Sequence, residues 1–158
     1  MEWDEYFDSA AKGRRPTSDF EWYAVDDKGQ VALLTSAGFG AIPLQVFLDR
    51  DIYYSAREYF NSLPHRCGSK LFVNDSSNLS SWRDVVHRGL FSYDWSNSAG
   101  QYTPGKPYTL IAAPQKPITL FELPTSVAEY VSPIRFHVNF EEAMDLYPEQ
   151  EFEEVNLF

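Results

Sequence analysis

Phe20-Glu-Trp-Tyr-Ala-Val-Asp-Asp-Lys-Gly-Gln-Val-Ala-Leu-Leu-Thr35 is the stretch on which the fold turns. Two runs rich in aromatic and β-branched residues flank Asp27-Lys28-Gly29, where glycine supplies the left-handed backbone that a tight turn needs. They read as a β-hairpin. Phe20, Trp22 and Ala24 alternate with Glu21 and Tyr23, which predicts one buried and one wetter face.

After the hairpin comes the glycine-marked loop Ser36-Ala-Gly-Phe-Gly-Ala-Ile-Pro43. Pro43 suits a helix N-terminus, and Leu44, Phe47, Leu48, Ile52, Ala56, Tyr59, Phe60 and Leu63 recur at helical spacing until Pro64 ends the run. This predicts one helix of about five turns packed on the sheet. Lys70-Leu-Phe-Val73 is expected as a short strand and Asn74 to Asn78 as a surface loop. Ser80 or Ser81 can open a short helix ending near His87 or Arg88, with Gly89 at the left-handed stop position.

Strand patterns then dominate, in Leu90 to Trp95, Tyr108 to Ala113, Ile118 to Leu123 and Ile134 to Val138. Ser96 to Pro107 is expected as a loop, Pro114-Gln-Lys-Pro117 as the turn of a second hairpin, and Thr125 or Ser126 as the start of a short helix ending near Val131. The expected fold class is α+β. A single domain over residues 1–158 would hold a mostly antiparallel sheet of five to six strands, one long helix and two or three short helices.

The composition agrees with a folded chain. At 158 residues, one domain can bury roughly 70% of the surface its unfolded form exposes. A hydrophobic content of 44% and an aromatic content of 16% separate it from disordered sequences. The formal net charge is −10. Seven carboxylates, and no Lys, Arg or His, fall in the last twenty residues. The remainder is therefore nearly balanced, and the acidity is local. A second acidic group, Glu2, Asp4, Glu5 and Asp8, is followed at once by Lys12, Arg14 and Arg15. No basic stripe exists to neutralise phosphates, which excludes nucleic acid as the expected partner.

No apolar stretch approaches eighteen residues, so no membrane span is expected. The acidic opening Met1-Glu-Trp-Asp-Glu5 lacks the basic start of a secretory leader. Cys67 is the single cysteine and cannot form an internal disulfide. Together these features predict a cytoplasmic protein.

Catalytic patterns are weak. Gly38-Phe-Gly40 precedes a predicted helix, where consecutive amides can bind an anion. Pro43 stands where a dinucleotide loop has its third glycine, and no Lys-Ser/Thr pair follows, so a tight strand-to-helix turn is the plainer reading. His65-Arg66-Cys67 sets an imidazole two residues from the thiol, a pattern that could activate a nucleophile. A small hydrolase or transferase using a pocket near Gly38 and Gly40, with Cys67 and His65, is the alternative this supports. Lone intracellular cysteines more often simply fill space. His87 and His137 have no ligand partner at metal spacing, so neither a metal nor another cofactor is expected. Asp26-Asp27 and Asp49-Asp51 read as turn and helix-surface groups that serve solvation or capping.

The acidic end divides at Pro148. Asn139 with Glu142 three residues later suggests a capped helix, with Phe140, Met144 and Tyr147 on its inner face. Glu149 to Phe158 is expected to be a less constrained arm. Such a surface offers a basic protein partner both charge steering and aromatic anchors, although acidic runs most often serve as a solvated face. The candidate partner-binding residues are Glu141, Glu142, Asp145, Tyr147, Glu149, Glu151, Phe152, Glu153, Glu154 and Trp95. A homodimer built on the aromatic surface is a further alternative.

Phe20 to Asp26, followed by Thr35 to Pro43, resembles the opening of small acidic bacterial proteins of the immunity type found in toxin systems. The resemblance implies a stoichiometric, non-enzymatic binder that neutralises a toxin without a cofactor. It brings no catalytic motif and no assigned contact residue.

Overall fold

Strands Glu21–Val25 and Val31–Thr35 form the hairpin, in antiparallel register from Glu21 opposite Thr35 to Val25 opposite Val31. Gly29 turns it with φ +76°. The computed structural model describes residues 3–12, 20–72, 79–95 and 103–156. Along the chain these form α1 (Trp3–Ala11), β1 and β2 (the hairpin), β3 (Ile42–Pro43), α2 (Arg50–Ser62), β4 (Ser69–Leu71) and α3 (Leu79–His87). There follow β5 (Phe91–Asp94), β6 (Tyr108–Pro114), α4 (Thr125–Val131), β7 (Asp145–Leu146), α5 (Pro148–Glu151) and β8 (Val155–Asn156). The loop expected at Asn74 to Asn78 and part of the one expected at Ser96 to Pro107 lie outside the described residues.

The main sheet runs β1-β2-β5-β6-β4, with β7 also paired to β6, and a small sheet joins β3 to β8. Among the strands of the described residues β2 and β5 pair in parallel, while β6 takes β5, β4 and β7 antiparallel. The parallel pair requires a crossover, supplied by the segment from α2 to α3. This is a single α+β domain with a curled, mostly antiparallel sheet of five to six strands, as the strand patterns indicated.

Both faces of the hairpin are covered, where the alternation had suggested one wetter face. Trp22, Ala24, Ala32 and Leu34 enter one core cluster with Tyr53, Tyr108, Phe136 and Phe140. Tyr23, Val25, Val31 and Leu33 enter a second, with Ala56 and Phe60 of α2 and Val127 and Val131 of α4. A central hairpin sandwiched between layers reads as near-continuous apolar sequence, which Val31-Ala-Leu-Leu34 does.

Several local expectations give way. The run from Leu44 to Leu63 is broken: Leu44–Phe47 is a 3-10 turn, and Asp49 caps α2 by accepting the N–H groups of Asp51 and Ile52 at 3.0 and 3.3 Å. A side-chain cap inside an apolar repeat overrides its periodicity. Ile118 to Leu123 is not a strand, and no second hairpin forms at Pro114 to Pro117. Thr119 makes one bridge to Gln30, then Leu120–Glu122 turns as a 3-10 helix whose Glu122 Oε2 reaches back to the Thr119 amide at 3.0 Å. Thr-x-x-Glu is a helix-start signal here.

Ile134 to Val138 runs along the outer edge of β1 with a single parallel bridge at Arg135. Asn139 to Tyr147 is the largest departure, since a turn and strand β7 replace the helix. Core groups capture its backbone first: the Phe140 amide donates to buried Asp26, and Tyr93 donates to the Ala143 carbonyl at 2.6 Å.

Glu149 to Phe158 is docked at least through Asn156. β8 pairs with β3, Phe152 packs edge-on against Phe136, and the Asn156 amide caps the end of α1 by donating to the Ala10 and Ala11 carbonyls.

Candidate functional site

The acidic face is built on the turn that follows Asn139. Asn139 Oδ1 accepts from the Glu141 amide at 3.0 Å and from Gln30 Nε2 at 3.2 Å, while its carbonyl takes the amides of Glu142 and Ala143. Leu110 then donates its amide to the Met144 carbonyl at 2.8 Å, and Thr109 Oγ1 holds Asp145 Oδ1 at 2.9 Å. The hairpin, β5 and β6 thus each pin one point of the turn. Glu141, Glu142 and Asp145 project from a fixed frame, and Met144, 45% exposed, sits among them in sequence.

The rest of the acidic segment is also held in place. Glu149, Glu153 and Glu154 are exposed, and Glu151 is half-buried with Oε2 accepting from the His137 amide at 3.3 Å. His137 Nδ1 lies 3.3 Å from Asp27 Oδ1, which brings the hairpin turn's exposed carboxylate to the same side. Among the described residues, no Lys or Arg forms an ion pair with Glu141, Glu142, Asp145, Glu151, Glu153 or Glu154. Among the described residues, those six carboxylates therefore have no Lys or Arg within ion-pair distance to offset their negative potential.

Two of the expected anchors are interior. Trp95 is 1% exposed; its Nε1 donates to the Lys106 carbonyl and Lys106 Nζ lies 4.7 Å from its ring centroid. Phe152 is 8% exposed and belongs to the core. Neither can serve as a surface anchor. Tyr147 is half-buried, so the exposed apolar group of this face is Met144, which the helical reading turned inward. Strand alternation across Met144-Asp-Leu146 accounts for Leu146 inward and Asp145 outward, but it would turn Met144 inward as well, so no local pattern announces the exposure of Met144.

The tyrosine beneath the face is strongly perturbed. Tyr93 is raised well above its ordinary value by burial first, and then by the charges of Asp26 and Asp145. It stays neutral and donates its hydrogen to the turn.

The catalytic alternatives find little geometry. The Gly38 amide donates to Ser36 Oγ, and the Phe39 and Gly40 amides donate to the Ser36 carbonyl, so no anion nest is open. A Cβ on Gly40 would stand 2.5 Å from the Tyr108 hydroxyl, which shows how fully the loop is packed. The Cys67 thiol points at the carbonyls of Val86, His87 and Lys116 at 3.6 to 3.9 Å, while His65 Nε2 lies 3.2 Å from Asp84 Oδ1. His87 Nε2 lies 3.3 Å from Ser69 Oγ. Among the described residues, no group of three or more His, Cys, Asp and Glu side chains could hold a metal, and no helix is long and apolar enough to cross a membrane.

No protein-family model, no curated protein and no solved structure matches the chain.

Proposed function

We propose that this protein is a binding module whose acidic C-terminal face engages a basic protein partner, as an immunity-type inhibitor of a cytoplasmic toxin would. The observation that carries the reading is the set of carboxylates around Met144 without a Lys or Arg ion pair among the described residues, held by hydrogen bonds from Gln30 of the hairpin, from β5 and from β6. A fixed array loses little side-chain and backbone freedom on binding, and its field accelerates encounter with a cation-rich surface. The resemblance of Phe20 to Asp26 and Thr35 to Pro43 to immunity-type proteins supports the same reading.

The experiment is capture on the immobilised protein from a lysate of the cells it comes from. The expected result is retention of a protein with a basic surface, released as salt rises from about 50 to 500 mM, where the screening length falls several-fold. Retention of nothing, or only of partners indifferent to salt, contradicts the reading.

A further inference from the structure

Beside Arg135 the sheet keeps an open edge. Val25 donates to the Ile134 carbonyl at 2.8 Å and accepts from the Phe136 amide at 2.9 Å, so the groups on either side of Arg135 face β1. The amide and carbonyl of Arg135 therefore point the opposite way. Among the described residues, nothing bonds to either group or to the Arg135 guanidinium. Two residues on, Glu151 occupies the same edge by taking the His137 amide.

That edge opens into a groove of about 370 Å³ walled by Gln45, Arg135, His137, Glu151, Phe152 and Glu153. The groove shares Ser132 and Pro133 with a second furrow of about 400 Å³ that Leu120 and Ala128 make partly apolar. Both volumes fall in the range of ligand sites, about 300–1,000 Å³.

We propose that this groove receives an extended, Lys- or Arg-bearing segment of a protein, which adds to the sheet edge by main-chain pairing at Arg135. The inference rests on the reading that the ligand is a protein, and adds how part of that protein is held. Pairing satisfies the Arg135 amide and carbonyl. Glu151 and Glu153, with Asp27 against His137, favour cationic side chains on the incoming strand. The Leu120 and Ala128 furrow accepts an apolar side chain further along.

The probe is a random dodecapeptide library displayed on phage and selected against the intact protein. The expected outcome is enrichment of peptides carrying Lys or Arg that slow hydrogen exchange of the Arg135 amide when bound. Arg135→Ala, which keeps the amide, should bind them within about threefold of the parent. Arg135→Pro, which lacks it, should lose about tenfold, the equivalent of a main-chain hydrogen bond. Failure to enrich, enrichment of acidic peptides, or binding that leaves exchange at Arg135 unchanged overturns the proposal, and the exchange readout holds even if the proline variant fails to fold. Glu141→Lys/Glu142→Lys/Asp145→Lys separates the two readings. It should leave peptide affinity within about threefold while weakening capture of the whole partner, so either can fail without the other.

Discussion

Asp26 and Phe140, far apart in sequence, meet through a 2.9 Å hydrogen bond from the Phe140 amide to the buried Asp26 carboxylate. The same carboxylate accepts from the amides of Lys28 and Gln30 and from Gln30 Nε2, at 2.7 to 3.0 Å. One side chain therefore closes the first hairpin and starts the turn that carries the acidic face. Asp26→Ala leaves several buried donors unsatisfied and should cost about 3 kcal/mol in urea unfolding. A loss under about 1 kcal/mol would mean that the turn is held by other contacts.

Removing the C-terminal segment should act first on stability. Phe152→Ala empties a site against Phe136 and should cost about 3 kcal/mol. Glu153→Lys with Glu154→Lys, both exposed, should stay within about 0.5 kcal/mol of the parent. Urea midpoints of the two variants check this contrast, and equal midpoints would contradict the docking of Phe152.

Gly40 has no room for a side chain. A methyl group there would lie 2.5 Å from the Tyr108 hydroxyl and 2.8 Å from the Trp95 ring. The Tyr108 hydroxyl is itself fixed, accepting from Trp22 Nε1 and donating to the Ala41 carbonyl. Gly40→Ala should destabilise by about 2 kcal/mol, with a thermal midpoint several degrees lower.

Alkaline stability should fall in a defined window. Burial raises Tyr6 to about 12 and lifts Tyr23, Tyr53, Tyr93 and Tyr130 above their ordinary value as well. Each holds its proton more tightly folded than unfolded, so its contribution is whole below about pH 10 and declines as pH rises through the folded values. Absorbance at 295 nm should show these rings ionising together with unfolding; early ionisation of all ten tyrosines in the folded protein would contradict their burial.

The fold was legible where local signals agree with the final packing. Gly29 and the runs around it announced the hairpin, and the segment from Thr125 or Ser126 to Val131 announced α4. Reading failed where a long-range partner decides. Nothing near Asn139 reveals that Asp26 and Tyr93 will take its backbone, so Asn139 to Tyr147 looked helical. Thr119-x-x-Glu122 carried both a strand pattern and a capping signal, and the latter won. Of the candidate site, the carboxylates were legible because charge is additive along a sequence. Burial of Trp95 and Phe152 was not, because large aromatic residues suit a core and a contact surface equally. The open edge at Arg135 depends on strand pairing that sequence does not order.

The most direct measurement is calorimetric affinity of the captured basic partner for the parent protein and for Glu141→Lys/Glu142→Lys/Asp145→Lys at about 50 mM salt, where surface charges are least screened. The three residues are exposed, so circular dichroism should confirm an unchanged fold. The account predicts at least about a hundredfold weaker binding by the variant, with most of the difference lost at high salt. Equal affinity of a folded variant at low salt would contradict it.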